Sequence, residues 1–223
     1  MGDAVGQMLA SAVGIAISPV PLIAVILMLA TPKGQANGAA FTAGWMLALA
    51  AVVTVVVLAG SGIGTDAGTP TWSYWLKLAL GVLFLLLGAK QWRGRPREGH
   101  VTEPPKWMRA IDRFTPGKAA GLAVALVVAN PKNLALAVGG AASIATSGAS
   151  VGGKTVAAVL MVLVGSLCTL LPLGVHLLGG DRSAQVLGGW KAWMAAHNAA
   201  VMMVVLVVLG AKYVGDSISG LTT

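Results

Sequence analysis

The chain has 223 residues, 57% hydrophobic and only 10% charged, with 15 Lys or Arg against 7 Asp or Glu and a net charge of +8. A soluble domain carries about 25% charged residues, so this composition excludes an ordinary water-soluble enzyme and a disordered tail. The basic excess does not indicate a nucleic-acid partner, because such a face needs cations clustered on a water-soluble fold.

The charges fall between long stretches without Asp, Glu, Lys or Arg: 4–32, 34–65, 78–89, 119–131, 133–153, 155–180 and 192–211. A membrane-spanning helix needs roughly 20 mostly apolar residues. The stretches predict six spans, at 4–31, 39–61, 73–91, 118–146, 153–179 and 194–214. The first is not read as a signal peptide, because Met1-Gly2-Asp3 lacks a positive leading region. It contains Ser18-Pro19-Val20-Pro21. Proline removes one helical hydrogen bond, clashes with the carbonyl four residues back, and pushes the preceding residue out of the α region. A break near the middle of this span follows. Span two carries Thr42 and Trp45, and span three ends on Leu87-Gly88-Ala89-Lys90. Trp72, Tyr74 and Trp75 read as interfacial aromatics, as do Trp190 and Trp193.

Residues 90–118 hold eight of the fifteen cations. Basic residues mark the cytoplasmic side, which places this loop inside and both termini outside. Trp107, Ile111 and Phe114 recur at helical spacing opposite Lys106, Arg109, Asp112 and Arg113. That pattern predicts a short interfacial helix with its apolar side in the headgroups. A gate, or a docking site for a cytoplasmic partner, is the functional alternative. Span four contains Asn130-Pro131-Lys132-Asn133, a second predicted break. A cation in mid-span costs about 2.5–3.5 kcal/mol on insertion scales and marks a functional site by default. A lysine that caps carbonyls freed by the break is the structural alternative, and both readings stand. In span five His176 follows Pro172 by four residues. It is a candidate proton relay, or else a packing histidine. The lone Cys168 excludes an intramolecular disulfide and a CxxC redox pair.

The chain repeats itself. Ser18-Pro19 and Asn130-Pro131 each place a small polar residue before proline, and Leu209-Gly210-Ala211-Lys212 matches the end of span three. Two three-span halves, 1–91 and 118–223, follow, with the basic loop 92–117 between them. Three is odd, so the halves are inverted, as in many secondary transporters, where matched broken spans mark the transport site. The expected fold is therefore an all-α integral membrane protein of six transmembrane helices, in two inverted three-helix repeats with proline-broken first and fourth helices. No Asp or Glu lies in mid-span. A positive buried charge and half-helix N-termini favour an anionic or zwitterionic head group over a metal cation. Neither a metal site nor a cofactor is expected. The sequence has no Walker A loop, HExxH or GxSxG, so an enzyme is not expected.

The six-span layout, Ala16-Ile17-Ser18-Pro19-Val20-Pro21-Leu22, Pro32-Lys33-Gly34 through Phe41-Thr42-Ala43-Gly44-Trp45, and Asn130-Pro131-Lys132-Asn133-Leu134 resemble the LysE transporter superfamily. The resemblance is closest to its peptidoglycolipid-addressing branch, also called sulfolipid-addressing (Sap) proteins, of actinobacteria. It implies a bacterial plasma-membrane protein that helps move cell-envelope lipids outward, with membrane lipid as both substrate and surroundings. Ser18, Asn130 and Asn133 would supply hydrogen bonds, and Lys132 would face an anionic group. Pro19, Pro21 and Pro131 would be fixed hinges of an alternating-access exporter or flippase, with Thr42 and Trp45 lining the site. The alternatives are a LysE-type exporter of an amino acid or ion, and a non-transporting scaffold that recruits lipid-synthesis or export machinery through the 92–117 loop. A homo-oligomer is left open.

Overall fold

A computed structural model of the chain describes residues 2–61, 71–93 and 111–222. These residues form α-helices and two short 3-10 turns, without a strand among them. Helix α1 (Gly2–Ala16) and α2 (Pro19–Leu29) are bent by 43° across Ile17 and Ser18. Ser18 is extended, with φ −100° and ψ 112°, as a residue before proline should be. Pro19 and Pro21 occupy the first turn of α2, where a missing N–H leaves nothing unpaired. The prolines therefore begin a helix rather than kink one.

Helix α3 spans Gly34–Ser61 and α4 spans Thr71–Arg93. After a turn at Ile111–Arg113, α5 (Pro116–Val128) and α6 (Pro131–Ala145) are bent by 68°. Asn130 is extended at this break and caps α6: its Oδ1 accepts from Lys132 N at 3.0 Å and Asn133 N at 3.4 Å. Helices α7 (Val151–Gly165) and α8 (Leu167–Leu178) are bent by 59° at Ser166, and α9 runs over Ser183–Thr222. Three helices are long and apolar enough to cross a membrane, or six spans result if each bent pair is one. The chain is an all-α membrane protein.

Three features differ from the sequence-based expectation. The α7–α8 break falls at Ser166, where the sequence has no proline, while Pro172 sits inside α8. Residues 183–193, expected as loop, are the first turns of α9; Leu187 and Met194, seven apart on one face, are both buried against the bundle. Ile111 is 2% exposed and joins the core, and Phe114 O accepts from Asn37 Nδ2 at 3.1 Å. This end of the expected interfacial helix thus packs on protein rather than in headgroups. Its remainder, residues 105–110, lies outside the described residues, as do His100 and the 62–70 loop.

Helix α3 packs on α5 and α6, α1 on α6 and α7, and α4 lies along α9. The α3–α5 contact is close because Gly44 has no side chain. A Cβ there would stand 2.8 Å from Ala120 O and 2.9 Å from Ala120 Cα. Crowding a packed contact costs about 1–3 kcal/mol. Gly44→Ala is therefore expected to lower the unfolding temperature in detergent. Gly121→Ala, where the added Cβ meets nothing within 4 Å, is expected to hold or raise it, since alanine favours helix by about 1 kcal/mol. Equal melting of the two variants contradicts this packing.

Candidate functional site

The breaks of α1–α2 and α5–α6 meet inside the bundle. Ser18, held extended by the proline that follows it, does not return its N–H to the helix, so α1 ends with unpaired carbonyls. Lys132, the second residue of α6, reaches across to them. Its Nζ donates to Gly14 O at 2.9 Å and to Ser18 Oγ at 2.7 Å. Ser18 Oγ donates in turn to Asn133 Oδ1 at 2.9 Å, and Asn133 Nδ2 donates to Leu126 O at 3.1 Å. The chain of bonds joins α1, α6 and α5. Lys132 is 3% exposed, and no carboxylate among the described residues pairs with it. The cation is held instead by the negative end of the α1 dipole and by a hydroxyl. An ammonium has three N–H donors, and two are used here.

Beside this network lies a cavity of about 160 Å³, lined by Ser18, Pro19, Val20, Pro21, Gln91, Asn130, Lys132, Asn198 and Met202. The first turns of α2 and α6 both border it, so two half-helix N-termini bring partial positive charge to the same space as the ammonium. Between the two prolines, Val20 supplies the one backbone N–H. Among the described residues no three His, Cys, Asp or Glu side chains stand together as a metal site would need. The chemistry offered is recognition of a small anion or polar head group.

The expected site residues separate into two groups. Ser18, Pro19, Pro21, Asn130 and Lys132 line the cavity, and Asn133 stands behind them in the network. Pro131 starts α6 beside them. Trp45 is fully buried elsewhere, with Nε1 donating to Gly165 O at 3.3 Å at the α7–α8 break. Thr42, one turn before it on α3, is buried with its hydroxyl unpartnered, as is the hydroxyl of Ser166. His176 is half-buried on α8 and does not line the cavity. Sequence reasoning missed Gln91 and Asn198. Asn198 had a usable signal, an amide inside the uncharged run 192–211. Gln91, between Lys90 and the basic loop, had none.

The family model described as "Sap, sulfolipid-1-addressing protein" matches residues 8–219. No curated protein and no solved structure matches.

The network makes a stability prediction. Removing one partner of a buried charge-assisted bond costs about 1–3 kcal/mol, so Ser18→Ala should clearly lower denaturation resistance in detergent. In a Lys132→Met background, where no ammonium is left to satisfy, the same change should cost less than half as much. Additive losses in this double-mutant cycle would show that Lys132 and Ser18 are not coupled.

Proposed function

The chain belongs to the sulfolipid-1-addressing (Sap) family, so its role in the membrane is lipid-related, and we propose that it moves an anionic cell-envelope lipid across the bacterial plasma membrane by alternating access. The observation that carries this reading is the convergence of a buried ammonium and two half-helix N-termini on one cavity, with no carboxylate among the described residues to neutralise them. A site of that polarity favours sulfate, phosphate or carboxylate. The cavity volume of about 160 Å³ accommodates such a head group and leaves long acyl chains outside in the bilayer. Gln91 and Asn198 offer amide hydrogen bonds to its polar substituents.

The helix contacts support two halves related by exchange. Replacing α1–α4 by α5–α9 turns the α1–α7 contact into α5–α3, the α3–α6 contact into α8–α2, and the α2–α9 contact into α6–α4, and all six occur, while the extensive α1–α6 contact has no α2–α5 counterpart of like extent. In this reading the basic 92–117 loop is cytoplasmic. The cavity, bordered by Gln91 near the start of that loop, then opens inward. The protein is a carrier without catalytic residues or cofactor.

Reconstitution tests the proposal. In proteoliposomes holding fluorescent short-chain lipids and an impermeant quencher, the protein is expected to speed equilibration of a sulfated or phosphorylated analogue over a choline analogue. Loss of a charge-assisted hydrogen bond corresponds to about ten- to hundredfold, and Lys132→Gln should slow the anionic lipid by that factor. Movement of labelled amino acids but not lipid would replace this reading with a solute exporter. No movement at all, with retention of a lipid-synthesis enzyme through the 92–117 loop, would replace it with a scaffold.

A further inference from the structure

Helices α4 and α9 approach closely through glycines. A Cβ on Gly81 would stand 3.0 Å from Gly210 O, and one on Gly210 would stand 3.0 Å from Gly81 O. Two contacts of this pair with the remaining helices lie far apart. At one, Gln91 of α4 and Asn198 and Met202 of α9 form a wall of the cavity, facing Ser18, Asn130 and Lys132. At the other, Tyr213 of α9 closes against α1 and α6. Its hydroxyl is 2.6 Å from Ser11 Oγ, and a Cβ on Gly139 would stand 2.5 Å from it. Leu80 of α4 seats on the same glycine, 3.2 Å from that Cβ position. The two contacts are about 22 Å apart along α9 at the usual helical rise. Between them Leu209 covers Gly14, whose carbonyl holds Lys132; a Cβ on Gly14 would be 2.8 Å from Leu209 Cδ1.

The two ends are built differently. The cavity end is roomy and lined by amides. The far end is closely packed, and Tyr213, 2% exposed, fits only because residue 139 has no side chain. Its hydroxyl needs a partner when buried, and Ser11 supplies it from the opposing helix.

We propose that α4 and α9 move as one body against the other helices, and that Tyr213 is the gate at the end opposite the cavity, seated on Ser11 and Gly139 when that end is shut. The proposal rests on the transport reading above and identifies its moving part. Opening at Tyr213 tilts Gln91, Asn198 and Met202 toward Lys132, so one end closes as the other opens. Tyr213 is a gating residue and does not itself hold the head group.

Spin-label distances on the full chain in lipid nanodiscs test this. In a Cys168→Ser background, labels at Gly148→Cys and Ile218→Cys report the gate end. Both positions are exposed, and a Cβ at Gly148 meets nothing within 4 Å. Labels at Lys33→Cys and Ala192→Cys, also exposed, report the cavity end. Losing one buried hydrogen bond corresponds to about a two- to tenfold shift. Tyr213→Phe should raise the long-distance 148–218 population by that factor, and the 33–192 distance should shorten in the same fraction. Ser11→Ala removes the same bond from the other side and serves if Tyr213→Phe does not fold. Unchanged distributions in the folded variants overturn the gate. Lengthening at 148–218 without shortening at 33–192 overturns the one-body motion. Lipid equilibration measured on the same variants keeps the two claims apart. Distances that respond without any lipid movement leave the gate and remove transport, whereas lipid movement with fixed distances does the reverse.

Discussion

Lys132 extends from the first turn of α6 to the last turn of α1 and bonds Gly14 O and Ser18 Oγ, which couples two helix breaks that lipid could not solvate. Hydrocarbon offers no donors, so Gly14 O, which loses the Ser18 N–H once Ser18 turns extended before Pro19, must find one within the protein. The lysine supplies it, at the helix end where a cation is favoured. Its own helix does the opposite, since the N-terminus of α6 repels a positive charge. An anion in the cavity would relieve that repulsion and take up the third N–H of the ammonium. Binding and the tie between α1 and α6 are therefore linked through one group. The sequence left open whether Lys132 is a cap or a ligand; the geometry makes it a cap with one donor to spare.

The third break follows another logic. At Ser166 no charge is present, and Trp45 Nε1 serves Gly165 O while Thr169 Oγ1 serves Ser166 O at 3.0 Å. Thr146 and Thr155 on other helices turn their hydroxyls back to the carbonyl four residues earlier. Thr42 does not, and its hydroxyl stays unpartnered on the face of α3 that carries Trp45. One kind of break is charged and borders a cavity. The other is neutral and sealed in the bundle. Only the first has the polarity to select a ligand.

Much of this was legible in sequence because the bilayer permits few solutions. Uncharged runs located the spans, and the pairs Ser18-Pro19 and Asn130-Pro131 located two breaks, since proline acts through its own missing N–H. The break at Ser166 was not legible: a glycine and a serine bend a helix only when tertiary contacts such as Trp45 take up the freed carbonyl. The placement of Thr42 and Trp45 away from the cavity was hidden for a related reason, as the face that α3 turns to each neighbour depends on Gly44 and Ala120. The start of α9 was missed because Lys191 interrupts hydropathy without interrupting helix. Tyr213 carries no signal in the sequence, because Ser11 and Gly139 come opposite it only in the fold.

The central claim is that the space between Lys132 and the α4–α9 pair holds an anionic head group. A cryo-electron microscopy map of the protein in nanodiscs containing an anionic lipid, with an antibody fragment for size, tests it most directly. The account predicts head-group density within hydrogen-bond distance of Lys132 Nζ, reaching toward Gln91 and Asn198, with acyl density leaving the cavity toward the bilayer. Lipid density confined to the outer faces of the helices, with the Lys132 cavity holding only water, would contradict it.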